Sequence, residues 1–259
     1  MRNLLFSMLV GSLFAVASPA DSRALEEPGQ QSGQASGMLS RTVRVGNESH
    51  GYQLYVPANL RGKEKPPVIV FLHGIGQRGE GGFVRAEGGA GAVARQYLEQ
   101  VPAIILLPQC RRNQFWHDPE MERMVMTAID QTVAEFSADT KRLYLTGVSM
   151  GGYGAWHIAS QQAGRFAALV SICGGSPLKS GDRFAPIARR VGRTPVWVFH
   201  GREDRIVPVN ESRQMVEALQ AIEGNRVRYT EIEGVGHNVW LNALAEPQLL
   251  PWILAQHLS

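Results

Sequence analysis

The sequence predicts an α/β protein with a doubly wound, mostly parallel sheet of about eight strands and helices on both faces. Two observations support this fold class. Continuous apolar runs such as PPVIVFLHG (66–74) and VPAIILLPQ (101–109) are typical of strands that are buried on both faces of a sheet. Between such runs lie stretches with apolar residues at helical spacing, and this alternation of strand and helix favours parallel pairing.

The individual elements follow in order along the chain. RTVRVG (41–46) and HGYQLYVP (50–57) alternate polar and apolar residues and predict a β-hairpin. The two apolar runs named above come next. Four later segments complete the sheet: RLYLTG (142–147), FAALVSICGG (166–175), TPVWVFHG (194–201) and NRVRYTEIEG (225–234). Helices are predicted at five places between and after the strands: 91–100, 122–136, 153–163, 210–222 and 250–258.

The N-terminal residues differ in character from the rest of the chain. Arg2 precedes the apolar run LLFSMLVGSLFAVA, and the small-residue stretch SPADSRA follows it. This order is that of a secretory signal peptide, and the run is short for a membrane span, with an uncleaved anchor as the alternative. We therefore expect a signal peptide at 1–24, a flexible tether at 25–40 and one α/β domain at 41–259. The expected location is secreted or periplasmic, without stable membrane insertion.

Composition narrows the classes of function. The chain has 259 residues, of which 44% are hydrophobic and 19% are charged, and these values are typical of a globular domain. The formal net charge is only +3, and basic residues occur singly or in pairs, so we expect no nucleic-acid partner. The two cysteines, Cys110 and Cys173, are too few for a disulfide-built scaffold and lack the spacing of a metal site. No metal and no other cofactor are predicted.

The pentapeptide GVSMG (147–151) fits the pattern G-x-S-x-G around Ser149. Alone this pattern is a weak signal, because glycines in such a turn also allow a helix to pack closely on a sheet. Its setting is more specific, since a nucleophilic serine in this pattern needs a strand before it and a helix after it. RLYLT precedes the motif and YGAWHIA follows it, so Ser149 is a candidate nucleophile.

A serine nucleophile needs a base and a carboxylate that orients the base. Asp204 follows the buried strand at 194–201, and His237 lies in a glycine-flanked loop after the next strand. Because parallel strands end at one edge of a sheet, we expect Ser149, Asp204 and His237 to meet there as nucleophile, acid and base. The alternatives are that Asp204 caps a loop while Glu203 is the acid, and that His237 is a surface residue.

The negative oxygen of a tetrahedral intermediate needs N–H donors that are already in place. One expected donor is the backbone N–H of Met150, the residue after Ser149. The second is expected from the glycine-rich loop HGIGQRGEGG (73–82), where we nominate the N–H of Ile75, with Gly74 supplying the turn. A mobile linker is the alternative interpretation of this loop.

Two histidines and four further residues lie near the expected site. His73 and His200 end buried strands and are expected to shape loops rather than to transfer protons. Four residues that follow strand ends or flank His237 are candidates for substrate contact, with core packing as the alternative for the two tryptophans: Gln109, Trp116, Asn238 and Trp240.

Five stretches resemble the bacterial phospholipase/carboxylesterase-like branch of the α/β-hydrolases: FLHGIGQRG, PQCRRNQFW, LYLTGVSMGGYGAW, VWVFHGREDRIVPVNESRQM and GVGHNVW. That branch includes exported esterases related to feruloyl esterases and polyhydroxybutyrate depolymerases, and proteins described as predicted peptidases. The likeness extends over residues 41–258. It implies the α/β-hydrolase fold and the same triad and oxyanion donors that are proposed above. One departure is Gln77, where the resemblance leads us to expect glutamate.

These features predict an exported serine hydrolase that cleaves carboxylic esters through an acyl-enzyme intermediate and needs no cofactor. A peptidase or amidase on the same triad and a non-catalytic binding module are the alternatives. The longest candidate for a cover, 176–193, is too short for a large lid, which favours an open cleft and a small-molecule or polymer-borne ester. On this fold the strands before Cys110 and Cys173 lie roughly 14 Å apart, too far for a disulfide unless the loops bend. The sequence does not indicate an oligomeric state.

Overall fold

The computed structural model describes residues 36–60, 65–79 and 101–259. The signal peptide predicted at 1–24, most of the predicted tether and the helix predicted at 91–100 lie outside the described residues. None of the helices in the described part of the chain is long and apolar enough to cross a membrane.

The sheet contains eight strands: β1 (Gly37–Val45), β2 (Glu48–Val56), β3 (Val68–Leu72), β4 (Ile104–Pro108), β5 (Leu143–Val148), β6 (Ala168–Ile172), β7 (Val196–Gly201) and β8 (Val227–Ile232). Their order in the sheet is β1-β2-β4-β3-β5-β6-β7-β8. β2 pairs antiparallel with β1 and with β4, and all the other neighbours are parallel. This topology confirms the predicted doubly wound, mostly parallel sheet, and each predicted strand segment overlaps an observed strand.

β1 begins earlier than predicted, inside the segment that the sequence assigns to a tether. β1 and β2 are nine residues long and pair over their whole length, from Gly37 opposite Val56 to Val45 opposite Glu48. Because β4 holds β2 on its other side, β2 offers hydrogen-bonding partners to residues 37–40, whose own side chains do not predict a strand. The predicted tether boundary at residue 40 is therefore replaced by a strand that starts at Gly37.

Six α-helices lie in the described ranges: α1 (Pro119–Phe136), α2 (Met150–Gln161), α3 (Ala185–Val191), α4 (Asn210–Gln220), α5 (Trp240–Leu244) and α6 (Leu249–Leu254). α1, α2, α4 and α6 correspond to predicted helices. α3 and α5 have no counterpart among the predicted helices, because seven and five residues are too few to show a helical period. α1 has Pro119 and two glutamates in its first turn, which suits the N-terminal end of a helix.

The sheet is buried on both faces. On β3, Val68, Val70 and Leu72 belong to an apolar cluster that includes residues of α1 and α2, whereas Ile69 belongs to a cluster with residues of α5 and α6. This alternation follows from the pleat of the strand. Since β3 and β5 to β8 run parallel, their carboxyl ends meet at one edge of the sheet, where the loops carry the residues considered next.

The two cysteines lie at that same edge and do not pair. Cys110 follows β4 and Cys173 follows β6, with β3 and β5 between them, and both thiols are free and buried. The structure therefore shows no disulfide at the pair of positions that the sequence left open.

Candidate active site

The turn between β5 and α2 places Ser149 in an unusual backbone conformation. Ser149 has φ 55° and ψ −118°, a region that residues with a side chain rarely adopt and that costs of order 1–3 kcal/mol. Its backbone is held on both sides, because its N–H donates to the carbonyl of Ile172 at 2.9 Å and its carbonyl accepts from the N–H of Tyr153 at 3.1 Å. The turn therefore presents the serine side chain at the edge of the sheet.

The glycines around Ser149 are required by close packing of backbone on backbone. A Cβ added to Gly147 would lie 2.1 Å from the carbonyl oxygen of Gly151, and a Cβ added to Gly151 would lie 1.9 Å from the carbonyl oxygen of Leu72. Neither contact is sterically allowed, so α2 can start directly above β3 and β5 only because these positions lack side chains. The glycines thus pack the helix on the sheet and at the same time form the turn that holds Ser149.

Ser149, His237 and Asp204 form a continuous hydrogen-bonded series. His237 Nε2 lies 2.9 Å from Ser149 Oγ, and His237 Nδ1 lies 2.6 Å from Asp204 Oδ2. Because an ionised carboxylate only accepts hydrogen bonds, Nδ1 carries the proton and Nε2 accepts from the serine hydroxyl. The loops after β5, β7 and β8 bring these residues together at the strand ends where the sequence places them.

The carboxylate of Asp204 is fully buried, and donors surround it. Oδ1 accepts from the backbone N–H groups of Ile206 at 2.8 Å and Val207 at 2.9 Å. Burial opposes the ionised form most strongly, but the bonds from His237, Val207 and Ile206 together outweigh it and lower the pKa of Asp204 below its usual value. Glu203, the alternative acid, is exposed, so the geometry distinguishes the two carboxylates.

A second histidine lies behind Asp204. His200 Nε2 is 3.2 Å from Asp204 Oδ2, and both side chains are completely buried. The sequence indicates only that His200 ends a buried strand. Its position four residues before the acid is a signal, but the contact depends on the fold of the intervening loop.

The two predicted oxyanion donors begin helical segments beside Ser149. Met150 is the first residue of α2, and Ile75 is the first residue of a short 3-10 helix, Ile75–Gln77. Such first N–H groups have no partner within their own helix. The loop after β3 touches the serine turn, since a Cβ added to Gly74 would lie 3.7 Å from Ser149 Cβ. The loop that carries Ile75 therefore lies against the serine turn, and the role of both N–H groups remains a prediction.

Trp116 and Gln109 are buried and brace the loop after β3. For Trp116 this agrees with the packing alternative, and contact of either residue with a substrate stays a prediction. Trp116 is completely buried, and its Nε1–H donates to the carbonyl of His73 at 2.9 Å. Gln109 is buried and donates from Nε2 to the carbonyl of Gln77 at 2.7 Å. Both follow β4, whose neighbour is β3, so they fill the space under the loop instead of facing the solvent.

The other two candidates for substrate contact also differ from each other. Trp240 is half-buried and packs against the apolar cluster formed by the sheet and the C-terminal helices, so packing accounts for it. Asn238 is exposed beside His237. Of the four candidates, Asn238 alone keeps an exposed position next to the triad, and its contact with a substrate stays a prediction.

Three potential ligand atoms for a metal lie together at the site. The side-chain donors of Cys173, Asp204 and His237 lie within 4.8 Å of one another. However, burial raises the pKa of the Cys173 thiol to about 12, and the Nδ1 proton of His237 is held by Asp204. A protonated sulfur and an occupied imidazole nitrogen are a poor fit to a metal ion.

The loop after β6 borders part of the site. It contains the first residues of the segment 176–193, which is the longest candidate for a cover in the sequence. Arg183 in this loop makes a two-fold contact with Glu211 of α4, with both N–O distances at 2.8 Å, and its Nε–H donates to the carbonyl of Leu178 at 2.8 Å. Paired contacts between a guanidinium and a carboxylate are directional and hold a loop in one orientation. The loop is therefore fixed to α4 at the edge of the site.

Exposed apolar side chains follow the strands at the edge that carries the triad. Among the described residues, the large apolar side chains that are exposed include five that follow β3, β4, β6, β7 and β8, and a sixth, Met38, lies on β1. The most exposed of them, Ile206, has 72% of its surface accessible and lies two residues after Asp204. The five residues at this edge are Ile75, Phe115, Leu178, Ile206 and Leu241. Apolar side chains are therefore exposed on the segments that follow the strand ends at the edge where the triad lies.

Comparisons with known proteins agree with this fold. The model of the family described as Phospholipase/Carboxylesterase matches residues 117–248. A bifunctional acetylxylan esterase/xylanase, XynS20E, from Neocallimastix patriciarum is 34% identical over 83 residues, which are 32% of this chain and 11% of the relative. The chain therefore matches only about a tenth of the length of that curated relative.

Solved structures extend the similarity over most of the chain. The crystal structure of a thermostable esterase is 31% identical, with a TM-score of 0.70, and the match covers 85% of this chain and 63% of the esterase. A feruloyl esterase module from Clostridium thermocellum in complex with sinapinate is 14% identical, with a TM-score of 0.69, and covers 86% of this chain and 89% of the module. At that identity the second likeness concerns the fold alone.

Proposed function

The chain belongs to the phospholipase/carboxylesterase family of α/β-hydrolases, and on that premise we propose that it is a serine hydrolase of carboxylic esters. One observation carries the proposal: the hydrogen-bonded series from Ser149 through His237 to the buried carboxylate of Asp204. All three residues lie within the part of the chain that matches the family. Their geometry suits nucleophilic acyl transfer, because base and nucleophile are already within hydrogen-bonding distance.

The first half of the reaction forms an acyl-enzyme. His237 Nε2 takes the proton of Ser149 Oγ as the oxygen attacks the ester carbonyl carbon, and the carbonyl oxygen becomes negative. The ionised Asp204 stabilises the imidazolium that forms. When the tetrahedral intermediate collapses, the bond to the alcohol oxygen breaks and His237 gives its proton to that oxygen, so the alcohol leaves and the acyl group stays on Ser149.

The second half releases the acid. A water molecule gives a proton to His237 Nε2 and attacks the acyl carbon, and collapse of the second intermediate returns the proton to Ser149 Oγ. In both halves the backbone N–H groups of Met150 and Ile75 donate to the negative oxygen. Each donor begins a helical segment, so its N–H is free to bind the oxyanion.

The proposed substrate is a small-molecule or polymer-borne ester with apolar groups. Five exposed apolar side chains follow the strands at the edge that carries Ser149, and we propose that they form an apolar entrance. Such an entrance favours acyl or alcohol groups that lose water-accessible apolar surface on binding. The loop after β6 is fixed to α4 by the Arg183–Glu211 contact, and Ser149 is partly exposed within the described part of the chain. We propose an open cleft because the segment 176–193 is too short for a large lid. Export is proposed from the sequence of residues 1–24 alone.

The test is Ser149→Ala, assayed with p-nitrophenyl esters of several acyl lengths and, in parallel, with peptide amides. We expect ester turnover to fall by at least about a thousandfold while the folded structure is retained. Ser160→Ala is the matched control, because Ser160 is also buried in α2 and donates to a backbone carbonyl of its own helix. Retained ester turnover in Ser149→Ala would contradict the proposal, and faster turnover of amides than of esters in the unaltered protein would assign the triad to a peptidase.

A further inference from the structure

A buried side-chain pair behind the triad has no part in the reaction as written above. His200 is the fifth residue of β7, Ser212 lies in α4, and both side chains are buried. Both ring nitrogens of His200 are occupied. Nε2 lies 2.9 Å from the carbonyl oxygen of Val207 and 3.2 Å from Asp204 Oδ2, and Nδ1 lies 2.7 Å from Ser212 Oγ. The pair therefore connects α4 to the acid of the triad.

These contacts fix the tautomer of His200. A carbonyl oxygen and a carboxylate oxygen both accept hydrogen bonds, so the nitrogen facing them, Nε2, must carry a proton. Burial lowers the pKa of His200 and is only partly offset by Val207 and Asp204, which favours the neutral ring. In the neutral ring Nδ1 has a lone pair, and the hydroxyl of Ser212 donates to it.

The proton on Nε2 is directed to the carbonyl of Val207 and also lies close to Asp204. Oδ1 accepts from two backbone N–H groups, and Oδ2 accepts from His237 Nδ1 at 2.6 Å while facing the Nε2–H of His200 at 3.2 Å. A carboxylate offers about four acceptor positions, so the side chain is held against rotation about its last bond. The same Oδ2 therefore faces both His237 and His200.

We propose that His200 is a positioning residue for the triad: its neutral Nε2–H, supported by the hydroxyl that Ser212 donates to Nδ1, fixes Oδ2 of Asp204 and moderates the negative charge that His237 experiences. The proposal rests on the function proposed above. His200 has no hydrogen bond to Ser149, so it acts through Asp204 and His237 and not on the substrate. A purely structural role, in which His200 only ties the loop to Val207, would leave the acid limb of kcat/KM unchanged.

Other titratable and charged groups lie near the His200–Ser212 pair, and their charges also contribute to the acid limb of kcat/KM. Asp204 also interacts electrostatically with Tyr153 and Cys173. On β8, the residue that pairs with His200 is Glu231, which forms an ion pair with Arg213 of α4. His200 itself interacts electrostatically with Asp204 and His237. The charged residues on the neighbouring elements are Glu231 of β8, Arg213 of α4, and Glu211 of α4 with its partner Arg183.

The first experiment compares His200→Leu with His200→Gln in ester hydrolysis as a function of pH. Loss of the N–H donor leaves more of the carboxylate charge to stabilise protonated His237. In His200→Leu we therefore expect the acid limb of kcat/KM to move up by about half a pH unit. We also expect kcat to fall roughly tenfold with KM little changed. His200→Gln supplies an amide N–H near the position of Nε2 and should restore most of both values.

The second experiment does not depend on turnover. The Nδ1–H proton of His237 is observed by NMR in the unaltered protein, in Ser212→Ala and in the control Ser160→Ala. Ser212→Ala should shift this resonance and move the acid limb in the same direction as His200→Leu, by a smaller amount. Ser160→Ala, which also loses one buried hydroxyl, should change neither.

The outcomes separate this inference from the proposed function. If Ser149→Ala is inactive but His200→Leu keeps the acid limb and kcat of the unaltered protein, the positioning role is wrong and the triad stands. If Ser149→Ala stays active, the proposed function is wrong, and the NMR comparison still tests whether His200 and Ser212 act on His237 through Asp204. Should His200→Leu fail to fold, an unshifted His237 resonance and an unshifted acid limb in Ser212→Ala would overturn the inference.

Discussion

The dipeptide His-Gly occurs at the carboxyl end of two strands of the sheet, directly after β3 and as the last two residues of β7. The two histidines make different contacts. His73 follows β3 directly, and His200 lies near the end of β7. Both are buried, and burial lowers the pKa of both. His73 donates from Nδ1 to the carbonyl of Gly74 at 2.8 Å and accepts at Nε2 from the N–H of Cys110 at 3.1 Å, so its proton is on the opposite nitrogen from that of His200.

The difference lies in what each ring contacts. The hydrogen-bonding partners of His73 are backbone groups and Gln109, so this ring shapes the loop that carries Ile75. The partners of His200 include the carboxylate of Asp204. The histidine of the first dipeptide thus holds the loop that carries Ile75, whereas the histidine of the second contacts the carboxylate of Asp204. The neighbouring strand and helix determine which role each histidine takes.

The largest expected effect is a loss of ester turnover in Asp204→Asn, which alters the carboxylate that His200 contacts. An amide can donate to His237 Nδ1 and so favour the wrong tautomer, in which Nε2 carries a proton and cannot accept that of Ser149. We expect kcat to fall by roughly 10³- to 10⁴-fold. The measurement is ester turnover near pH 7, with Glu203→Gln as the control because Glu203 is the exposed neighbouring carboxylate. Equal losses in the two variants would contradict the assignment of the acid.

An intermediate effect is expected for His73, which should make the free energy of unfolding depend on pH. The pKa of His73 is lowered to about 4 by burial, whereas the unfolded chain takes up the proton near 6.5. The unfolded state therefore binds more protons between these values, and the free energy of unfolding should fall as the pH falls from about 6.5 to about 4, by up to about 3 kcal/mol. His200, whose pKa is also lowered, acts in the same direction.

The variant His73→Gln separates the two histidines. It should lose stability at neutral pH and show a smaller further loss on acidification, measured by urea unfolding at about pH 7 and about pH 4.5. It should leave the acid limb of kcat/KM in place, in contrast to His200→Leu. His257→Gln, at an exposed position, should keep the pH dependence of the unaltered protein. An acid limb shifted by His73→Gln would show that the two rings are not functionally distinct.

The smallest effect is expected at the entrance, where the loops after β3 and β7 each present one exposed isoleucine. Ile75 has 51% and Ile206 has 72% of its surface accessible. Ile75→Ser and Ile206→Ser should each raise KM for esters with long acyl chains by about two- to fivefold, through loss of apolar contact, and leave acetyl esters nearly unchanged. Met38→Ser is the control, because Met38 is exposed on β1. A change of equal size in that control would rule out the apolar entrance.

Much of this architecture is accessible from the sequence, because it depends on local patterns. Apolar runs and helical spacing predict the sheet and four of its helices, and the order of Ser149, Asp204 and His237 at strand ends predicts their meeting. α3 and α5 are too short for such patterns. The burial of Trp116, which follows β4, depends on its contact with the carbonyl of His73, 43 positions away.

The tautomers of the two histidines are also beyond the sequence. Each is set by partners elsewhere in the chain, such as the N–H of Cys110 for His73 and the carbonyl of Val207 for His200. No periodicity or spacing carries that information, since the two strands lead into the same dipeptide. For this reason the sequence predicts only that both rings shape loops, whereas the structure brings His200 within 3.2 Å of the carboxylate of Asp204.

The central claim is that Ser149 is an activated nucleophile, and the mass of the protein after reaction with a fluorophosphonate tests it most directly. We predict one adduct per chain, located on Ser149 by peptide mapping, and no adduct in Ser149→Ala or after denaturation. Ser160→Ala should react like the unaltered protein. A folded protein that gains no mass, or that carries the adduct on another residue, would contradict the account.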